Sequence, residues 1–262
     1  MAQWTAIVLA GQRPGEDQFA ASHGVRAKAL IEVGGEPMLA TVVRTLLESR
    51  SIGRIVVLAQ DAATLLAGKL AWIAEDPRIM TSDAGEGISA SVAAIAGTDT
   101  APWPILVTTA DHPLLRPEMV EALIAGATDA DIAFAVVERA TVERLHPTTK
   151  RTWLKFSDGQ YSGANMFALL GPAARPGIER WAHVERDRKR ALKVLAAFGP
   201  IVFLRAVTRT ITLQGAAARM GRNIGVRLKA LPLPFAEAAI DVDKPSDLEL
   251  AERILADRRA AE

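Results

Sequence analysis

The sequence predicts an α/β fold built on a mainly parallel sheet, and two observations carry that reading. Short β-branched runs recur at Ile7–Ala10, Ile55–Ala59, Ile105–Thr109 and Ile132–Val137. Between them, Ala/Leu/Glu-rich stretches at 37–49, 61–74, 87–96 and 117–126 read as helices. Strand–helix alternation at this spacing calls for crossover connections and parallel pairing. Ligands of such sheets bind beyond the carboxyl ends of the strands. Arg13, the 83–91 stretch and Asp111 all follow predicted strands, so they can share one face.

The composition narrows the classes. The 262 residues are 50% hydrophobic and 23% charged, with a net charge of +1. That balance is ordinary for a globular chain and gives no electrostatic argument for nucleic acid. No apolar run approaches the ~20 residues of a membrane span, and the N-terminus lacks a secretory pattern. The chain has no cysteine, which excludes disulfides, thiolate nucleophiles and zinc–sulfur sites and fits the cytoplasm. With no internal repeat or low-complexity tract, residues 1–262 are read as a single domain. It carries an acceptor-side insertion at about 139–160 and a basic, partly helical extension at about 178–232.

Trp4–Gly11 reads as a buried strand running straight into Gln12-Arg13-Pro14-Gly15. Small residues after a strand let backbone N–H groups approach an anion, and Arg13 and Lys28 hang beyond the turn to neutralise it. Neither G-x-G-x-x-G nor the Walker pattern is present, so a simple strand–helix turn is the alternative. Lys28 precedes Gly34-Gly35-Glu36-Pro37-Met38-Leu39, a helix start. Gly85-Glu86-Gly87-Ile88-Ser89-Ala90-Ser91 offers small and hydroxyl residues that either contact a base or ribose or cap a helix.

Trp103–Leu115 is an apolar strand that delivers Asp111 at its end; Pro117-Glu118 is the better start for the next helix, which leaves Asp111 less occupied as a cap. A hard oxygen ligand there suits Mg²⁺. Residues 139–163 hold Arg139, Arg144, His146, Lys150, Arg151 and Lys155, and Ser162–Phe167 returns to a strand. From Arg180 to Lys229 there are twelve Lys/Arg against two acids. In Asp241-Val242-Asp243, alternation puts both acids on one side, where a metal or a basic partner would relieve their repulsion. Ser246 is read as the cap of a final helix patterned on Leu248, Leu250, Ala251, Ile254 and Leu255.

Together, L-A-G-x-R-x-G, a lysine before a Gly-Gly-x-Pro-Met helix start, G-x-S-x-S, a strand-end Asp and D-x-D-x-P-x-D-L resemble the molybdenum-cofactor-nucleotidyltransferase-like (MobA-like) superfamily. The resemblance covers roughly residues 4–135, 161–170 and 238–256. It implies the Rossmann-like, three-layer α/β/α fold of sugar-nucleotide pyrophosphorylases, with a mixed, mainly parallel sheet. It implies a Mg²⁺-dependent transfer of a nucleoside monophosphate from an NTP to a small anionic, phosphorylated acceptor. Leu9, Ala10, Gly11, Arg13 and Lys28 would hold ribose and phosphates, with Gly87, Ser89 and Ser91 near the base. Asp111 and Asp243 match the Mg²⁺ ligands, and Asp241 is a weaker match. Gly163 and Asn165 match the strand facing the acceptor, with Lys150, Arg151 and Lys155 nearest it. Arg13, Lys28 and Asp111 would be the catalytic set. The G-x-S-x-S element favours CTP, with GTP next. A glycosyltransferase of related fold and a non-catalytic nucleotide-binding regulator are the alternatives. The basic 180–229 segment could also touch a membrane surface.

Overall fold

The computed structural model describes residues 3–11, 15, 17–85, 87–186 and 210–260. Its backbone is one eight-stranded sheet. β1 (Trp4–Leu9) lies between β4 (Ile52–Ala59) and β6 (Ile105–Thr109), parallel to both, and β5 (Ile79–Asp83) extends the parallel run beyond β4. On the far side of β6, β9 (Gly159–Leu169) runs antiparallel to β6 and to β7 (Ile132–Glu138). The edge strand β10 (Leu228–Pro232) pairs parallel with β7, and the short β8 (Leu154–Phe156) pairs with the start of β9. The expected mixed, mainly parallel sheet is therefore present, with β9 as the antiparallel member.

Strands buried on both faces need unbroken apolar runs, which is what β1, β4 and β6 supply. Alternate residues divide between two cores. Ala6, Val8, Ile55, Val57 and Leu106 pack with Leu39, Val43 and Leu46 of α2 (Met38–Glu48) and Met119, Val120 and Leu123 of α6 (Pro117–Gly126). Ile7, Leu9, Val56, Leu58, Ile105 and Val107 face Val92 of α5 (Ile88–Ile95) and Ile178 of α8 (Arg175–Arg186).

Expected and observed elements coincide at 37–49, 87–96 and 117–126 to within a residue or two. The helix expected over 61–74 is instead broken into α3 (Ala62–Leu65), a 3₁₀ turn at Gly68–Leu70 and α4 (Ala71–Glu75). α3 is capped at Leu66, and Gly68, at φ +65°, then holds a left-handed conformation that an unbroken helix could not contain.

Lys28 opens a 3₁₀ turn (Lys28–Leu30) followed by a two-stranded hairpin, β2 (Glu32–Val33) with β3 (Glu36–Pro37). Gly34 and Gly35, at φ +64° and +90°, make the turn, as a two-residue hairpin loop with both central φ positive requires. The hairpin packs by Ile31, Val33 and Met38 against Leu114, Ile240, Val242 and the last helix, α10 (Pro245–Ala260), through Leu250, Ala251 and Ile254. This third core holds the chain on both sides of Lys28 and Asp243.

The described parts of 178–232 comprise the end of α8, then α9 (Leu213–Ile224) and β10, which rejoins the sheet. Residues 187–209, the middle of the basic segment, lie outside the described residues. No helix among the described residues is long and apolar enough to cross a membrane.

Candidate active site

At the carboxyl ends of the strands, three segments far apart in sequence meet. β6 ends at Thr109, and one further step past Ala110 carries Asp111 out of the sheet; Ala110 is still tied to β1 by its N–H to the Leu9 carbonyl, 3.0 Å. The Lys28 ammonium donates to Asp111 Oδ2 at 2.5 Å and to Asp243 Oδ1 at 2.5 Å. Behind them the Val242 N–H donates to the Asp111 carbonyl at 2.9 Å, so the 240s are fastened to the end of β6 by backbone as well as side chain.

Asp241–Asp243 is not a strand of the sheet, but it is extended enough for the expected alternation to hold. Val242 is fully buried, while Asp241 and Asp243 both turn towards the Lys28 side. Asp111, Asp241 and Asp243 each offer a carboxylate oxygen, all within 4.8 Å of one another. Asp111 Oδ1 is buried without a hydrogen-bond partner among the described residues. A buried acceptor left unpaired is costly, and three hard oxygen donors around it suit a small divalent cation such as Mg²⁺. The residues present fit that ion.

The electrostatics follow from this crowding. Burial alone would pull the Lys28 pKa down, but Asp111 and Asp243 outweigh it and hold the amine firmly protonated. Burial pushes Asp243 up, yet the Lys28 hydrogen bond and charge prevail and leave it below the usual carboxylate range. Asp241 is pushed above that range, first by burial and then by the neighbouring Asp243 and Asp111 carboxylates.

A second tier surrounds Asp241. Arg151, in the loop before β8, donates from Nη1 to Asp241 Oδ1 at 2.8 Å and from Nη2 to Asp247 Oδ1 at 3.2 Å. Asn165 Nδ2 donates to Asp241 Oδ2 at 3.1 Å from a left-handed backbone, φ +47°. Asp247 Oδ2 in turn accepts the Asp243 N–H at 3.3 Å. Asp247 stands outside the site residues that the sequence pattern predicts. Helix α10 starts at Pro245, so Ser246 lies exposed inside its first turn, and the acid reaching back over the helix start is Asp247. A carboxylate at the third helical position after an N1 proline is the signal that identifies it, because such an acid satisfies donors at the helix entrance.

The remaining expected residues fall around the same rim. Leu9 and Ala10 are buried at the end of β1. Gly11 lies in close quarters: a Cβ there would lie 2.9 Å from Gln60 Oε1, the movable end of a side chain, and 3.2 Å from the Ala84 Cβ. Gly87 begins α5, Ser89 and Ser91 are buried, and the Ser91 hydroxyl accepts from Gly85 N–H and donates to the Gly87 carbonyl, bracing the loop. Gly163, Lys150 and Lys155 are exposed and not gathered into the acid cluster. Arg13 lies outside the described residues.

Comparisons with known proteins place the chain in a family. Residues 6–198 match the MobA-like NTP transferase domain. The chain is 32% identical to the 2-C-methyl-D-erythritol 4-phosphate cytidylyltransferase of Streptomyces avermitilis, covering 92% of this chain and 90% of that protein. It is also 32% identical to the enzyme of that name from Streptomyces coelicolor, over 92% and 84%. A hypothetical transferase from Thermus thermophilus superposes with a TM-score of 0.79 at 28% identity, covering 95% of this chain and all (100%) of that one. The 4-diphosphocytidyl-2C-methyl-D-erythritol synthase of Anaerococcus prevotii shares the fold, with a TM-score of 0.60 at 12% identity over 97% and 99% of the two chains. The strand-end cluster thus sits in a chain that belongs to the MobA-like NTP transferase family, and the protein is a nucleotidyltransferase.

Proposed function

We propose that this enzyme is a Mg²⁺-dependent cytidylyltransferase of the cytoplasm, transferring CMP from CTP to a small phosphorylated acceptor with release of pyrophosphate. The observation that carries the reading is the Lys28 ammonium lodged between Asp111 and Asp243 at the strand ends. The cytidylyltransferase relatives support CTP over GTP as donor and a phosphomonoester as acceptor.

In this reading an acceptor phosphate oxygen attacks the α-phosphorus; a P–O bond forms to it as the bond to pyrophosphate breaks. A phosphomonoester is largely dianionic at neutral pH, its second pKa being about 6, so no general base is needed. The work left to the protein is alignment and charge neutralisation. Leu9, Ala10 and Gly11 bring backbone close to the phosphates, and Lys28, with Arg13, offsets their charge. Gly87, Ser89 and Ser91 frame the base. Asp111 and Asp243 would hold Mg²⁺, whose chemistry when bound is to offset charge on the reacting phosphate oxygens. Gly163, Asn165, Lys150 and Lys155 line the acceptor side.

The test is pyrophosphate release with each of the four NTPs against a panel of phosphorylated polyols and sugars, 2-C-methyl-D-erythritol 4-phosphate included. CTP with one phosphorylated acceptor should give turnover that chelation abolishes. Turnover with a nucleotide sugar and none with any NTP overturns the reading.

A further inference from the structure

We infer that Arg151 is a positioning residue of the metal site, and that its contact withdraws Asp241 from the ligand set, leaving Asp111 and Asp243 as the pair that takes the cation. The inference rests on the proposed function for the presence of a divalent cation, and adds which acids meet it and what holds them.

The three carboxylates have different surroundings. Both oxygens of Asp241 are taken, Oδ1 by Arg151 and Oδ2 by Asn165. Asp111 has one oxygen on Lys28 and the other buried without a partner among the described residues. Asp243 is exposed, and Lys28 Nζ is the donor to its Oδ1. A ligand must offer a lone pair to the ion, and Asp241 would have to break two hydrogen bonds to do so. Asp111 needs only to exchange Lys28 for the cation, and Asp243, exposed and held by Lys28 and the Asp241 side chain, has an oxygen open to it.

The position of Arg151 fits an anchor. Its side chain is 8% exposed, between an Asp241 side chain 25% exposed and an Asp247 side chain 5% exposed. Both terminal nitrogens also lie 3.4 Å from the Asp241 carbonyl, so the fork grips main chain and side chain together. Nε, itself buried, is without a partner among the described residues. Through Asp247, which accepts the Asp243 N–H, the same guanidinium fixes the direction in which Asp243 leaves the backbone. A planar, permanently charged fork does this in a way a lysine cannot copy. Removing one partner from such a buried network leaves uncompensated acids behind, which then shift.

The experiment is a Mn²⁺ titration, followed by the spin-resonance signal of free Mn²⁺, with and without CTP, on the wild type, Arg151→Ala, Arg151→Lys, Asp241→Asn and Asp243→Asn. Loss of a side chain that orients metal ligands weakens the metal by about 10–100-fold, the loss expected of Arg151→Ala, with Arg151→Lys between it and wild type. Asp241→Asn keeps an acceptor for Arg151 and should weaken Mn²⁺ far less than Asp243→Asn. In turnover, Arg151→Ala should lower kcat and leave the acceptor KM unchanged. The inference is overturned if Arg151→Ala keeps wild-type Mn²⁺ affinity while its acceptor KM rises, or if Asp241→Asn costs as much as Asp243→Asn. A wild type that takes up no Mn²⁺ overturns it too, whereas absence of product with every acceptor bears on the proposed reaction and leaves the Mn²⁺ comparison standing.

Discussion

The two halves of the site are built by different means. At the strand ends, Leu9, Ala10 and Asp111 hang from adjacent parallel strands, whose ladders fix their positions to the sheet. Opposite them, Asp241 and Asp243 lie on irregular chain outside the sheet, held by Arg151, Asn165, Asp247 and one backbone bond to Asp111. The first half inherits its geometry from repeated backbone pairing. The second depends on a few individual polar contacts, so single side-chain changes should alter its shape without unfolding the protein.

The sharpest test of this contrast removes the group both halves share. Asp111→Asn keeps the strand end but takes away the charge that Lys28 and the proposed cation answer. Its kcat should fall by at least about 10²-fold, on the scale of losing one preorganised charged contact in a closed site. Thermal unfolding should change little, and near-normal activity would break the assignment.

Next in size, Ile105→Ala and Ile240→Ala compare the supports. Both side chains are fully buried, Ile105 in the sheet core and Ile240 in the core beneath the acids. Each truncation should cost about 2–5 kcal/mol in denaturant unfolding. The folded Ile105→Ala enzyme should keep most of its kcat, while Ile240→Ala should lose kcat beyond any loss of folded protein. Equal effects on kcat would erase the distinction.

The smallest effect concerns the β10 edge of the sheet. Arg227 donates to Asp131 beside β7 and β10, and this hydrogen bond holds the Asp131 carboxyl below its ordinary value. A carboxylate with a lowered folded pKa adds stability above its unfolded pKa and loses it as the pH falls through the folded one. Asp131→Asn should therefore lower Tm slightly at pH 7, with the gap to wild type closing as the pH drops below the carboxylate range, and kcat should stay unchanged throughout.

The same contrast explains what could be read from the chain. Strands buried on both faces announce themselves as apolar runs, so β1, β4, β6 and β7 were legible, and with them the strand-end place of Asp111. The edge strand β5 was not: Met80, Thr81 and Asp83 are exposed, and no periodic apolar signal marks them. The Asp241–Asp243 pair was legible as two acids on one side, because alternation survives in extended chain even without a partner strand. The grip of Arg151 was not, since its partners lie 90 and 96 positions away and a lone arginine among basic neighbours carries no mark of its pairing. Ser246 was misread for a related reason. Sequence offers hydroxyl and carboxylate alike as caps, and only the helix start at Pro245 selects Asp247.

The double contact of Lys28 has a consequence for the making of the protein. Lys28 and Asp243 are 215 positions apart in the sequence. A domain folds as a unit, and the hairpin that follows Lys28 packs on Ile240, Val242 and the last helix, so the acid cluster is completed only when the C-terminal segment joins the rest. Until residue 243 has been made, Lys28 has only Asp111 to pair with among these acids, and a chain ended before that point carries an incomplete cluster.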